Sequence, residues 1–323
     1  MENQTSMEVT KLLKEYEKGQ RDFAGVNLSG ANLSGAILVG VNLSNANLSG
    51  ANLSRAYLTK AELNGANLHR ANLSFAKMSE VRLADAEMTK TNLSGAFLVK
   101  AKLPRAKLSG AHLIGSNLRS AILWKANLCN ADLQFSNLRG ANLAGANLNW
   151  ANLSGSKLSG ARLFGSQLTG ICLRRAYING IDLSGTDLNG VNLSEAKLNG
   201  VNLKGSNLVA ANLSGAQLRN VKLTGANLTR ANLTGVSLVQ ANLDWAILCY
   251  ADFSEADLSE ASLMGANLDG TVLVRATLSE SMSRYFCLTV AGAVAAWQTE
   301  TMTKKNGIQA PSFQDGLCYD WIG

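Results

Sequence analysis

The sequence predicts an all-β solenoid: a rod of stacked four-sided coils. Three observations predict it. A large apolar residue stands at every fifth position from Phe23 to Leu278. Substitutions at a second, small position recur at intervals of 20 residues. No insertion interrupts either frame. Of the 52 positions in the first frame 47 are Leu, and Phe23, Met78, Met88, Ile178 and Phe253 fill the rest. Two residues earlier in each unit Ala occupies 34 of 52 positions, with Ser, Thr, Val or Ile at all others except Arg21. A polar residue, most often Asn, sits between them, and Gly often closes the unit, as in Ala31-Asn32-Leu33-Ser34-Gly35.

A period of five fits neither a helix nor a single strand. Five helical steps of about 100° scatter the leucines around the axis. On a strand an odd period sends successive leucines to opposite faces. A chain that turns a corner in every unit keeps every Leu and every Ala inside. Gly at the unit's end suits that corner, because a type II turn needs positive φ at its third residue.

Substitutions at the small position set the number of corners in a circuit. Ser116, Ser136 and Ser156 are 20 apart, as are Ser166, Thr186 and Ser206, and Ile181, Val201 and Val221. Tyr57, Phe97 and Tyr177, each just before a core residue, share one register modulo 20. A circuit of 20 residues stacks each set in a column, giving four units per coil. Fifty-two units then make about 13 coils, a rod on the order of 60 Å long at about 4.8 Å per coil. The inward hydroxyls of Ser116, Ser136 and Ser156 need partners, and carbonyls of adjacent coils are the expected ones.

The repeated A(N/D)Lxx unit resembles the pentapeptide-repeat family across residues 23–280. The resemblance implies a right-handed, quadrilateral β-helix. It says far less about function.

Three segments follow: residues 1–20 as an N-terminal capping helix, 21–280 as the β-helix, and 281–323 as a C-terminal helical cap and tail. Stacked coils expose unpaired backbone at both ends, which solenoids cover. Val9, Leu12, Leu13 and Tyr16 lie at i, i+3, i+4 and i+7, predicting an amphipathic helix over 5–18. Thr5 with Glu8 reads as a capping box and Gly19 as the stop. The run from Leu12 to Phe23 also resembles cyanobacterial pentapeptide-repeat proteins of the type that regulates heterocyst differentiation. After the frame breaks at Ser283, Phe286, Val290, Ala293, Val294 and Trp297 form a second helical stripe. It is too short to span a bilayer. A lid, a contact with another chain and a membrane-surface helix all remain open for it.

The net charge of +7 is unevenly spread. Residues 51–230 carry 22 Lys/Arg against 8 Asp/Glu, whereas 251–280 carry six acids and one base. Opposite ends of two rods would attract, so the chain reads as a monomer or a dimer through a rod end. The side whose core residues are 38, 58, 78 and on to 278 collects Lys60, Lys77, Lys100, Arg119, Arg139, Lys157, Lys197 and Arg219 against Glu80 alone. It also presents Tyr57, Phe97 and Tyr177. Exposed rings beside cations are the material of protein-binding hot spots, although a solvated β surface also carries charge. Trp124, Trp150, Phe164, Trp245 and Tyr250 fall on two other sides and read as packing between coils.

No catalytic, cofactor or metal site is expected. His69 and His112 fall on different sides and coils; Cys129, Cys172 and Cys249 are dispersed; no C-x-x-C pair, nucleophile elbow or phosphate loop is present. No run of 18 apolar residues predicts a transmembrane helix, and unpaired cysteines without an export signal predict the cytoplasm. The expected function is a non-enzymatic scaffold or regulator binding a protein along the aromatic and basic side. Resemblance to the heterocyst-type proteins implies a transcriptional or signalling partner. Quinolone-resistance members of the family resemble duplex DNA and engage topoisomerases, but mimicry needs acidic columns, and this shaft is basic. Direct nucleic-acid binding is the other alternative, opposed by a charge density far below one phosphate per about 1.7 Å.

Overall fold

The computed structural model describes residues 2–279, with side chains from Val9 onward. The proposed C-terminal cap and tail lie outside the described residues. After helix α1 (Glu2–Glu17), the backbone is a succession of parallel bridges, each joining residue i to i+20: Asp22 to Asn42, Asn27 to Asn47, Asn32 to Asn52 and Ile37 to Tyr57 begin four ladders. Only at the far end do neighbouring bridges lengthen into two short strands, β1 (Asp257–Leu258) and β2 (Thr277–Leu278), which pair in parallel. The molecule is a four-sided solenoid. Its first side has core residues 23, 43 and so on, its second 28, 48, its third 33, 53, and its fourth 38, 58 to 278.

Each unit uses its residues in the same way. The Leu amide donates to the next coil, as from Leu28 to the Asn47 carbonyl at 2.7 Å, and the Asn47 amide returns a bond to Val26 at 2.9 Å. The Asn side chain closes an Asx turn, Asn27 Oδ1 accepting from the Ser29 amide at 3.2 Å. It also bonds along the stack, Asn52 Nδ2 donating to Asn32 Oδ1 at 3.2 Å. A shorter apolar residue there would leave both roles empty. The Ala31 amide then reaches back to Leu28 at 3.1 Å and completes the corner. Corner glycines have positive φ, as at Gly30 (66°), but so do Arg55 (57°), Lys60 (58°) and Trp150 (60°). Glycine is favoured at the corner and not required, even though a side chain there costs roughly 1–2 kcal/mol.

The leucine and alanine rows line one dry core, with Leu48, Leu93, Leu133 and Leu228 fully buried. α1 adds Leu12, buried at 3% exposure, with Val9, Leu13 and Tyr16 packed beside it. Tyr16 Oη donates to the Val39 carbonyl at 2.9 Å. Gly19 ends the helix as expected, its amide bonding the Tyr16 carbonyl and that of Gln20 bonding Glu15, both at 3.0 Å. The start differs: α1 begins at Glu2, so Thr5 lies within the helix and is not its N-cap.

The serine column also departs from expectation. Ser116, Ser136 and Ser156 are buried, and none of their hydroxyls has a hydrogen-bond partner among the described residues. Thr91 instead reaches the Leu68 carbonyl of the preceding coil at 2.7 Å, and Ser206 reaches Leu203 within its own turn at 2.8 Å. The three serines pack as alanines would, with a polar atom left over. Ser136→Ala is therefore expected to stabilise the rod by about 1 kcal/mol, because it removes a desolvated hydroxyl without changing the packing. Calorimetric melting reads the sign; a loss of stability would show that the hydroxyl is bonded in solution.

Candidate functional site

The fourth side places its residues at three heights. Tyr57, Lys77, Phe97, Lys157, Tyr177 and Lys197 occupy the ladder column itself, joined without interruption through Asn117 and Asn137. Arg119, Arg139 and Arg219 sit one residue past the core position. Lys60 and Lys100 project from the following corner with φ of 58° and 56°. The Asx turns of Asn117 and Asn137 bond the amides of Arg119 and Arg139, at 3.2 and 3.3 Å. The Arg219 amide instead donates across coils, to Asn199 Oδ1 at 3.0 Å. The polar residues of the repeat thus set where the bases emerge.

All eleven predicted residues lie on one side, but they are not equally open. Tyr57 and Phe97 are 46% and 40% exposed, while Tyr177 and Lys197 are half-buried against each other. Lys77 Nζ lies 4.1 Å from the Phe97 ring centre, and Lys197 Nζ 4.8 Å from that of Tyr177. The column therefore holds two ring–lysine clusters, Tyr57–Lys77–Phe97 and Lys157–Tyr177–Lys197, separated by two asparagines.

The surrounding charges behave differently. On the other sides acids meet bases of a neighbouring coil: Arg82 with Glu62 at 3.5 Å, Arg105 with Asp85 at 2.6 Å, Lys107 with Glu87 at 3.3 Å, and Arg275 with Glu255 at 3.1 Å. Glu195 takes both Arg175 (2.7 Å) and Arg174 (3.0 Å). Hydrogen bonding by these guanidinium groups lowers the carboxyl pKa values of Asp85 and Glu195. None of the eight stripe bases has an ion pair among the described residues. The i, i+20 pairs were readable in the sequence once the circuit was known, and composition counts passed over them.

Sequence reasoning also missed a neighbour of the stripe. Lys60 and Lys100 line an open crevice of about 300 Å³ with Glu80 and with Glu62, Arg82 and Lys102 of the first side. The remaining rings have separate roles. Trp150, Trp245 and Tyr250 lie over the bare Cα of Gly170, Gly265 and Gly270 one coil on, as packing between coils requires. Phe75 and Phe135 cover Gly95 and Gly155 in the same way. Phe164 departs from that expectation at 89% exposure, and Trp124 carries the Lys125 ammonium 4.8 Å from its ring. Cys129, Cys172 and Cys249 are free and half-buried. Among the described residues no cluster of His, Cys, Asp or Glu could hold a metal ion, and no helix is long and apolar enough to cross a membrane.

A continuous β-solenoid of five-residue units, with exposed side chains in straight columns, defines the class. The family model for Pentapeptide repeats (8 copies) matches overlapping stretches from 27–65 to 251–281, and the chain belongs to that family. Among solved structures it is similar to HetL, a pentapeptide repeat protein involved in heterocyst differentiation regulation in the cyanobacterium Nostoc sp. strain PCC 7120. The identity is 30% over 82% of this chain and 95% of that one, with a TM-score of 0.26. It is also similar to a pentapeptide repeat protein of the Arabidopsis thaliana thylakoid lumen, 30% identical over 34% of this chain and 72% of that one, with a TM-score of 0.20. Full-length QnrB1, a plasmid-mediated fluoroquinolone resistance protein, is 15% identical over 84% of this chain and 99% of that one, with a TM-score of 0.16. A search of curated proteins gives no match.

Proposed function

We propose that the chain is a non-enzymatic protein-interaction scaffold or regulator that binds a protein partner along the fourth side. The supporting observation is that its eight bases have no ion pair among the described residues and stand beside the rings of Tyr57, Phe97 and Tyr177, while acids and bases of the other sides meet coil to coil. A partner bringing carboxylates and an apolar surface would gain charge pairing and ring contact at once. Sequence similarity to HetL supports a regulatory role, including one in cyanobacterial cell differentiation. The same reading has a right-handed rod of about 13 coils with α1 as its N-terminal lid, a cytoplasmic location, and a monomer or a dimer through a rod end.

Replacing Tyr57, Phe97 and Tyr177 together by Ser tests the side. Partner recovery in affinity capture is expected to fall at least about tenfold, since each ring is a candidate hot spot. The circular dichroism spectrum should stay that of the native rod, because the three side chains point outward. Unchanged recovery would remove this side from consideration. Nucleic acid is tested by gel shift at low salt, where the absence of a complex is the expected result.

A further inference from the structure

The ladders open once along the described rod. Between Gly160 and Asn192 several coil-to-coil bonds of the kind formed along the rest of the described rod are missing, although Leu173 still reaches Asn192 and Ile178 reaches Lys197, both at 2.8 Å. The amides of Leu163, Gly165, Leu168 and Gly170 do not reach the coil above, and those of Asp182, Asp187 and Asn192 do not reach the coil below. Bridges Arg162–Asp182 and Gln167–Asp187 are absent from otherwise unbroken ladders on the first and second sides. Leu163, Ser166 and Thr186, whose equivalents are buried in neighbouring coils, become half-exposed. The fourth side keeps its ladder: Tyr177 donates to Ser156 at 2.8 Å and Lys197 to Ala176 at 2.9 Å.

The gap coincides with a change at the small inward position. Ile occupies it only at 171 and 181. Ile181 stands above Ala161 on the first side, and Thr186 above Ser166 on the second. The first-side column accepts Val81 between Ala61 and Ala101 with intact bonds, Lys102 donating to Val81 at 2.8 Å, so the further methylene of Ile181 is what sets this rung apart. The fourth side keeps Ala176 and Ala196 there and stays zipped. Open on two sides and closed on the stripe side, the seam has the form of a hinge.

We infer that the rod bends at this seam: an arm ending near residue 160 and an arm starting near 181 change their angle about the fourth side. The bend opens and closes the first and second sides while the stripe's ladder remains continuous. This holds whether or not the stripe binds a partner.

Spin-label distances test it in a chain whose Cys129, Cys172, Cys249, Cys287 and Cys318 are replaced by Ser. Three outward pairs each span six coils, about 29 Å in a straight rod. Lys102→Cys with Lys222→Cys crosses the seam on its open first side. Asn117→Cys with Ser237→Cys crosses it on the closed fourth side. Asp22→Cys with Asn142→Cys lies wholly in the N-terminal arm. The first pair is expected to give a distance distribution at least twice as wide as the third, and the second one close to the third. Adding Ile181→Ala should narrow the first. Equal widths for all three pairs would overturn the hinge, and an unchanged first pair in Ile181→Ala would overturn its assignment to that side chain. In the unlabelled chain the amides of Gly165 and Gly170 should exchange at least tenfold faster than those of Gly145 and Gly155, which bond Phe164 and Arg174 at 3.0 and 2.8 Å. Equal protection would also overturn the proposal.

Discussion

Leu133→Lys is expected to collapse the middle of the rod. Leu133 is fully buried in the leucine row of the third side, its amide bonded to the Asn152 carbonyl at 2.7 Å. The coils above and below place Leu113 and Leu153 against it, and among the described residues no carboxylate is buried in the core. A lysine there must bury its ammonium unpaired or give up its proton, at a cost on the order of several kcal/mol. For a chain this size that is a fall in Tm on the order of 10 °C. The next residue provides the control: Gln134 faces outward, and Gln134→Lys should change stability by less than about 0.5 kcal/mol. Melting followed by circular dichroism separates the two. Wild-type melting of Leu133→Lys would mean that the leucines five apart do not share a dry interior.

Phe253→Ala comes next in size. Phe253 is the largest fully buried side chain and the one aromatic ring buried in the leucine rows. Its neighbours in the core are Leu248, Leu258, Leu263, Leu268 and Leu273, near the C-terminal end of the described coils. Truncation removes a ring from a stack that cannot close around the gap, because cross-coil hydrogen bonds hold the backbone, Phe253 itself donating to Val272 at 2.8 Å. A loss of about 3–5 kcal/mol is expected. Phe253→Leu restores the residue usual in the row and should cost less than about 1.5 kcal/mol. Urea unfolding of the two variants checks the order; equal effects would show that the ring is not what fills this coil.

The repeat made the architecture legible because its period is incompatible with other ways of burying 47 leucines. The 20-residue circuit followed from substitutions, and the bridge register from Asp22–Asn42 onward has that same interval. The departures were harder to see. Ile181, Val201 and Val221 looked like one column of similar residues packed on each other. Val201 and Val221 do stack with intact bonds, Lys222 donating to the Val201 carbonyl at 3.0 Å. Ile181 also stacks on Val201, Asn202 donating to its carbonyl at 3.0 Å, and the bonds are missing only on its other side, toward Ala161. A pattern of identities carries no measure of tolerance, so a sound rung and a forced one look alike. The serine column illustrates the same limit. Sequence places Ser116, Ser136 and Ser156 inside, but whether each hydroxyl meets a carbonyl depends on a rotamer that no spacing determines. The stripe lies between these cases: its membership was readable from register, whereas the shelter of Tyr177 under Lys197 depends on side-chain contact.

The pairing of one residue in each unit with that twenty places on has a consequence for inherited length changes. Deleting or duplicating one pentapeptide would leave every downstream leucine buried, yet rotate all later surface columns by a quarter turn and sever the stripe into two misaligned halves. A change of four pentapeptides would shorten or extend the rod by one storey and leave every column in line. Genes for such rods can therefore tolerate small in-frame slips as far as folding is concerned, while selection on the surface admits only whole circuits.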